Sequence, residues 1–326
     1  MAGGTPGLNY NTSPNLELVK TALDELRDNS LLKKDNNGKC EATDAVVFTQ
    51  SDVDRAAWVS TVIGGGGYFK KTITGVAQDV TAKKVAQKNA FSPKTTIIAE
   101  FNKDVPISRS FMQDQQHEAV AKAIRQETLS WLATRDQNAF GYYAFGFGTT
   151  LSTTIGDAVA LFSNSHVNAN GDTVDNYETG AMTDANLNTV IVSLRGQKNQ
   201  GGVIVGFEPE FLLCGSTLHH DAQITAKSVL KAGSGSNDLN YFSELYPGLK
   251  VCWNQFVDNS GATNQTTMYF VGTSQHGVVR FEREAFFSEL VDWRTDPDDL
   301  YKYKLRAREE VDTIEYPGLV GADGTT

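Results

Sequence analysis

Residues 68–103 constrain the fold more than any other segment, because they combine a high positive charge with few side chains that could fill a core. Seven lysines stand against only Asp79 and Glu100, so this lysine-rich segment carries a net charge of +5. β-Branched and polar residues alternate through 72–74 and 95–99, which predicts a long two-stranded excursion. An isolated hairpin is only marginally stable in water. The excursion therefore has to lie on its own domain or on another chain.

The charge and composition of the whole chain limit the classes of protein that it can belong to. The 326 residues carry a net charge of −10, so the chain outside the lysine-rich segment carries −15. This acidic balance disfavours sequence-specific binding to nucleic acid. Hydrophobic residues make up 40% of the chain, which is enough to bury a core, and the length predicts about two domains.

The cysteines and the apolar runs indicate the compartment. Cys40, Cys214 and Cys252 are far apart and odd in number, so they predict neither a zinc ribbon nor a disulfide framework. No apolar run approaches the ~18 residues that span a membrane. Residues 1–7 lack the basic start and apolar core of a signal peptide. We expect a soluble protein in a reducing compartment, without a membrane partner.

The first sixty residues predict an arm followed by short elements. Ser13 as N-cap and Pro14 at the first helical position predict a helix over 14–33. A short buried strand or a packing segment is expected at 45–48. Ser51 is the expected cap of a second helix that runs through Trp58 and Ile63. The four glycines at 64–67 lack the Lys-Ser/Thr pair of a phosphate-binding loop, so we interpret them as a hinge.

The longest helical pattern covers 110–140, where neither glycine nor proline occurs. Such a helix spans about 45 Å, which is longer than a small domain needs. It is expected to end at Gly141. The aromatic residues of 140–147 that follow are not interleaved with basic side chains, so they are predicted to lie in a core or an interface and not to stack on bases.

Helices and strands alternate over 183–254, which predicts a compact α/β unit. Thr183 is the expected N-cap of its first helix. The predicted elements are helix 184–199, buried strands 203–207 and 211–214, helix 218–230 and strand 249–253. Residues 266–313 are mostly strand-like, and Pro317-Gly318 is expected to begin a frayed tail.

No group of residues has the spacing that catalysis or metal binding requires. The five histidines form no H-E-x-x-H motif. The serines near Gly233 lack the preceding strand of a nucleophile elbow. The loop at 161–180 carries asparagines but not the acidic spacing of a calcium loop. We therefore predict a protein that is not an enzyme and that binds no cofactor or metal.

The order of these features resembles the major capsid protein of tailed bacteriophages, which has the HK97-type fold. Leu161–Asn168 looks like the L-F…H-x-N loop of such proteins, and Thr183–Gly202 like the helix that follows it. Val203–Leu218 resembles the family's segment with P-x-x-L-L, and Tyr301–Glu310 resembles its late Tyr/Lys/Arg-rich strand. The likeness covers about 45–315.

The resemblance implies an α+β fold with five parts. These are an N-terminal arm and first helices (1–66), an extended β-hairpin E-loop (67–108), a P-domain with a spine helix (109–182), an α/β A-domain (183–262), and returning P-domain strands with a C-terminal tail (263–326). It implies a structural protein that self-assembles into hexamers and pentamers of an icosahedral shell around double-stranded DNA. Assembly in the host bacterial cytoplasm, location in the virion, a portal partner and scaffold or decoration proteins follow from it as well.

Two alternatives stay open at this point. Encapsulin nanocompartments look like HK97 capsids but hold enzymes in place of DNA. An unrelated α+β hydrolase or binding protein would instead be a monomer or dimer. Covalent Lys–Asn cross-links of the kind some capsid proteins form are permitted by the lysines, but no sequence feature identifies the residues involved.

The opposite charges of the two parts suggest how copies would recognise each other. We expect the lysine-rich segment to dock on acidic patches of adjacent subunits. The lysines are Lys70, Lys71, Lys83, Lys84 and Lys88, and the acids are Asp292, Asp296, Asp298, Asp299, Glu309 and Glu310, with Asp312 beside them. Exposed ion pairs contribute only ~0–1 kcal/mol each, so repetition would supply affinity and charge would set register. An acidic shell would make only weak, non-specific contact with the enclosed DNA.

Overall fold

A computed structural model describes residues 48–50, 57–60, 94–108, 117–148, 157–168, 171–199, 201–230, 239–292, 300–313 and 315–325. The predicted helix at 14–33, the glycines at 64–67 and the first strand of the lysine-rich segment lie outside these residues.

Thirteen strands and five helices are described. The strands are β1 (Phe48–Gln50), β2 (Ala57–Ser60), β3 (Lys94–Ile97), β4 (Ala99–Ser108), β5 (His166–Val167), β6 (Thr173–Val174), β7 (Tyr177–Glu178), β8 (Phe211–Cys214), β9 (Lys250–Trp253), β10 (Tyr269–Gly272), β11 (Val278–Val291), β12 (Leu300–Thr313) and β13 (Leu319–Ala322). The helices are α1 (His117–Phe145), α2 (Asp184–Gly196), α3 (His219–Lys227), α4 (Tyr241–Leu245) and α5 (Gln255–Asp258).

A four-stranded large sheet has the strand order β1-β11-β12-β4. β11 and β12 are antiparallel strands of 14 residues each. The strand-like structure predicted for this region is confirmed, and burial alternates along β12, since Tyr301, Tyr303 and Leu305 are buried while the residues between them are not. These side chains pack with Val120 and Ile124 of α1. Together, residues 94–148 and 273–313 are called the large-sheet unit below.

Helix α1 confirms the predicted long helix, but it does not end at Gly141 as expected. It has 29 residues and continues beyond Gly141 to Phe145. Glycine costs a helix roughly 1 kcal/mol relative to alanine. Phe140 and Tyr143 are completely buried on either side of Gly141, and this burial outweighs that cost.

A five-stranded small sheet has the order β7-β13-β10-β8-β9. Helices α2 and α3 cover one of its faces through a cluster that includes Leu187, Ile191, Leu212 and Ala222. Thr183 caps α2 as predicted, because its hydroxyl accepts a hydrogen bond from the Asn186 N–H at 3.3 Å. Residues 157–272 and 315–325 are called the small-sheet unit below.

One hydrophobic cluster joins the two units. It combines Phe140 and Tyr143 of α1, Phe270 of the small sheet and Val311 of the large sheet. The predicted placement of the aromatic residues after 140 in a core is therefore confirmed. Since both sheets contribute to this cluster, they are expected to unfold together.

Four local predictions were wrong. Residues 57–60 form a strand instead of a helix, because they pair with β3. The expected buried strand at 203–207 is reduced to one bridge, and Ile204 is 53% exposed. Glycines flank this segment, and Gly206 has φ +68°, so the chain turns away after one pair. The helix predicted over 218–230 ends earlier, at Lys227, because Ser228 leaves the helical conformation with φ −62° and ψ 141°.

The fourth wrong prediction concerns the C-terminal residues. Instead of a frayed tail, Leu319–Ala322 forms β13, which lies between β7 and β10. Pro317-Gly318 makes the turn that leads into it, with φ +87° at Gly318. All four residues of β13 are buried. β10 and β13 follow residue 262 in the chain and belong to the small sheet. The end of the A-domain predicted at residue 262 stays a prediction.

Candidate functional site

Five large apolar side chains protrude from one end of the small-sheet unit. Val229 is 71% exposed, Leu245 67% and Tyr241 64%. Leu230 and Leu239 are also exposed and form a β-bridge with each other. This set, called the apolar edge below, contains half of the large apolar side chains that are exposed among the described residues.

The local sequence fixes the apolar edge in place. Asn240 caps α4, because its side-chain oxygen accepts from the Phe242 N–H at 3.1 Å. Its Nδ2 donates to the Thr225 carbonyl of α3 at 2.8 Å. Phe242 is buried against the small-sheet core, so α4 is anchored by one face. Tyr241 and Leu245, which are four residues apart in α4, are left on the outer side.

Exposed apolar side chains that are clustered and rigidly held mark a surface for contact with another protein. The apolar edge is not apparent from the sequence, because Val229 and Leu230 fall at the end of the helix predicted over 218–230 and continue its apolar spacing. Helix α3 ends at Lys227, so both residues lie outside the helix.

Two of the predicted acidic docking residues, Asp292 and Glu309, lie far apart along the large sheet. Asp292 follows the end of β11, whereas Glu309 lies opposite Glu282, ten residues earlier in that strand. This separation is about 33 Å of extended chain. Lys70, Lys71, Lys83, Lys84, Lys88, Asp296, Asp298 and Asp299 lie outside the described residues.

Glu309 and Glu310 are adjacent in β12 and have different environments. Glu309 is buried and forms an ion pair with Arg280 of β11. Burial raises the pKa of Glu309, while the Arg280 charge opposes this shift. Burial, with Asp312 and Glu309 nearby, raises the pKa of Glu310 to about 7. The contact of Glu309 with Arg280 is made within one subunit, and docking of the lysines on these residues stays a prediction.

The histidine of the L-F…H-x-N segment has a structural role. His166 is buried, with Nδ1 2.7 Å from the Asp157 carboxylate and Nε2 3.1 Å from the Leu161 carbonyl. Its ring stacks on Tyr316 at 4.3 Å. Asn168 closes the same loop by accepting from the Asp172 N–H at 2.8 Å. These polar groups tie the loop to the residues that precede β13.

The described residues offer no arrangement for metal binding. No group of three or more His, Cys, Asp or Glu side chains among them could hold a metal ion. The Ser216 hydroxyl donates to the buried Asp258 carboxylate at 2.6 Å, and the Thr217 N–H donates to the same oxygen at 2.8 Å. These bonds tie the end of β8 to α5. In the part of the chain that the structure describes, no helix is long and apolar enough to span a membrane.

The fold itself is the α+β fold of HK97-type capsid proteins, with a long helix packed on an elongated sheet beside a compact α/β unit. One similar solved structure is the mature capsid of bacteriophage PhiM1, with 10% identity, coverage of 85% of each chain and a TM-score of 0.50. Another is a phage-related protein from Bordetella bronchiseptica RB50, with 8% identity, coverage of 92% of this chain and 96% of that one, and a TM-score of 0.51. No family model matches the sequence, and no curated protein matches it. The fold predicted from the sequence is thereby confirmed.

Proposed function

We propose that the protein is a major capsid subunit of a tailed phage or prophage. Copies assemble into hexamers and pentamers of an icosahedral shell that encloses double-stranded DNA in the virion. The observation that carries the proposal is the apolar edge on a chain with a capsid fold. Large clustered apolar patches are uncommon on monomeric proteins and mark surfaces for contact with other proteins.

The apolar edge supports contact between copies of one chain. Fully burying a large apolar side chain contributes about 1.5–3 kcal/mol, and these five are already partly covered. A single contact would be weak after the cost of association. A head-to-tail contact that closes a ring repeats the same contact at each subunit, and this repetition gives the ring its stability.

The remaining assignments belong to the same proposal. The E-loop would cover 67–108, and its last strand β4 is anchored along β12 from Ala99 to Ser108. The P-domain, with α1 as spine helix, and the A-domain would follow at 109–182 and 183–262. The subunit has a structural role and no enzymatic one. It is assembled in the host cytoplasm with a portal and with scaffold or decoration proteins, and it contacts DNA only weakly.

Electron microscopy of the purified full-length chain tests this proposal. We expect closed megadalton particles for the natural sequence. Tyr241→Ser with Leu245→Ser should reduce the particle yield at least tenfold and leave a folded subunit by circular dichroism. The matched control is Leu129→Ser, which alters an exposed leucine on α1 away from the apolar edge and should leave the yield unchanged.

Two results would contradict the proposal or redirect it. A natural-sequence chain that stays monomeric or dimeric at every salt concentration and protein concentration tried would exclude a shell subunit. Particles purified from the native host that contain protein cargo and no DNA would instead indicate an encapsulin-type compartment.

A further inference from the structure

The charges of the described residues are divided unevenly between the two units. The large-sheet unit has twelve acidic and eleven basic residues, whereas the small-sheet unit has twelve acidic and four basic ones. The small-sheet unit therefore carries the net negative charge that a lysine-rich partner would complement.

Three carboxylates surround the short edge strand β7. The Asp175 carboxylate accepts from the Tyr177 N–H at 2.9 Å, and the Asp323 carboxylate accepts from the Tyr177 hydroxyl at 2.6 Å. The Asp323 N–H donates to the Glu178 carbonyl at 3.3 Å. Among the described residues, no basic side chain forms an ion pair with Asp175, Glu178 or Asp323. These three residues are called the acidic edge below.

A buried hydroxyl lies beside the acidic edge and has no described partner. Glu178, Ala322 and Tyr269 are in register across β7, β13 and β10, so their side chains are on the same face of the sheet. Tyr269 is completely buried, and its hydroxyl makes no hydrogen bond to a described residue. Burial raises the pKa of Tyr269, and the nearby Glu178 and Asp323 carboxylates raise it further.

The Glu178 carboxylate is desolvated without a cation to compensate. Burial raises its pKa, a hydrogen bond from Ser193 of α2 opposes this, and the Asp175 charge raises it further. A positive charge placed here would favour the ionised carboxylate and could donate to the Tyr269 hydroxyl. The described carboxylates do not converge as metal ligands do, so a side-chain ammonium fits this edge better than a metal ion.

We propose that the acidic edge receives ammonium groups from the lysine-rich segment of a second copy of this chain. The inference rests on the proposed function. It assigns the docking to the acidic edge instead of Glu309, because Glu309 already pairs with Arg280. The lysines available are Lys70, Lys71, Lys83, Lys84 and Lys88. Charge complementarity selects the occupant, because residues 61–93 contain these five lysines and only one acid, Asp79.

Zero-length cross-linking tests the contact directly. Particles assembled from an equal mixture of ¹⁴N- and ¹⁵N-labelled subunits are treated with a carbodiimide, which joins lysine to a carboxylate only in direct contact. We expect mixed-isotope peptides that link these lysines to Asp175, Glu178 or Asp323. Cross-links from the same lysines only to Asp292, Glu310 or the acids at 296–299 would overturn the proposal, and so would their absence.

A charge reversal provides the second arm. Asp175 is exposed, so Asp175→Lys should fold normally and lower the particle yield at least threefold at 150 mM salt. Asp221→Lys makes the same charge change in the first turn of α3, outside the acidic edge; it should slightly lower the stability of that helix but leave the particle yield unchanged. Equal yields for both variants would reject the docking site and leave the shell function intact. If the natural sequence forms no particles, the proposed function itself fails.

Discussion

The two units handle charge in opposite ways. On the large sheet, the face turned away from α1 carries a basic row along β12, and acidic residues of the neighbouring strands flank it. Arg306 pairs with Glu100 at 2.7 Å across β12 and β4. The basic residues of the row are Lys302, Lys304, Arg306 and Arg308. On the small sheet, the acidic edge has no such described neighbours. The large sheet pairs charges across its strands within one subunit, whereas the acidic edge of the small-sheet unit has no basic partner among the described residues.

The edges of the two sheets also differ in how far they are open to contact with another chain. Edge strand β4 carries Pro106 and exposed Lys103, which are devices that prevent a further strand from pairing. β11 carries irregularities between Glu282 and Phe287, which have a similar effect. The small-sheet unit instead presents the apolar edge beside its last strand, β9. The large sheet is thus protected against further strand pairing, whereas the small-sheet unit exposes the apolar surface that is proposed for contacts.

Removing the centre of the large-sheet packing should have the largest effect on stability. Trp131 stacks on Phe286 at 5.3 Å and meets the edge of Phe101 at the same distance. We expect Trp131→Ala to lower the free energy of unfolding by about 3–5 kcal/mol in chemical denaturation. Leu129→Ala on the same helix is exposed and should cost far less. Two separate transitions in the Trp131 variant would show that the units are not joined as the shared core implies.

A substitution at Gly215 tests the close packing of this residue against Asp258 in the small-sheet unit. A methyl group at Gly215 would overlap the Asp258 carboxylate, which accepts three hydrogen bonds from Ser216 and Thr217. Gly215→Ala should therefore destabilise the subunit by about 2–4 kcal/mol. The matched control is Gly248→Ala, where nothing lies within 4 Å of the added atom. Equal melting temperatures for the two variants would contradict the described packing.

The pH dependence of stability should be traceable to Glu310. Its pKa is raised from 4.5 to about 7 by burial. Between these values the folded state binds more protons than the unfolded state, so stability decreases as the pH rises. Glu310→Gln should flatten the change in melting temperature between pH 5 and pH 8. A slope identical to that of the natural sequence would show that other groups cause it.

The smallest expected effect concerns the cap of α2. Thr183→Ala removes the hydroxyl that accepts from Asn186 and should cost about 1 kcal/mol. Thr189→Ala, in the exposed middle of the same helix, serves as the control. A thermal shift for Thr183→Ala no larger than that of the control would mean that the cap contributes nothing to the small-sheet unit.

Elements set by local pattern could be predicted from the sequence, and elements set by distant pairing could not. The alternation in Tyr301–Arg306 predicts β12, and Thr183 predicts the start of α2. β2 at 57–60 becomes a strand only because β3 pairs with it. β13 becomes the centre of a sheet only because β7 and β10 flank it. Neither partner is visible in the local sequence.

The same limit applies to the surfaces. The excess of lysine at 68–103 is a property of the sequence, so a need for an acidic partner could be predicted. Which carboxylates receive the lysines could not be decided from the sequence, because the burial of Glu309 and its pairing with Arg280 depend on the fold. Asp175 and Asp323 are 148 positions apart in the chain, and only the pairing of β7 with β13 brings them together.

The position of β13 has a consequence for biosynthesis. The strand that fills the small sheet follows both of its sheet neighbours in the chain and is synthesised after them, and Asp323 of the acidic edge follows directly after it. A nascent subunit that lacks these residues has an unfilled sheet and an incomplete acidic edge. On the proposed docking of lysines at the acidic edge, we expect chains terminated before residue 323 to be left out of growing particles, because their acidic edge is incomplete.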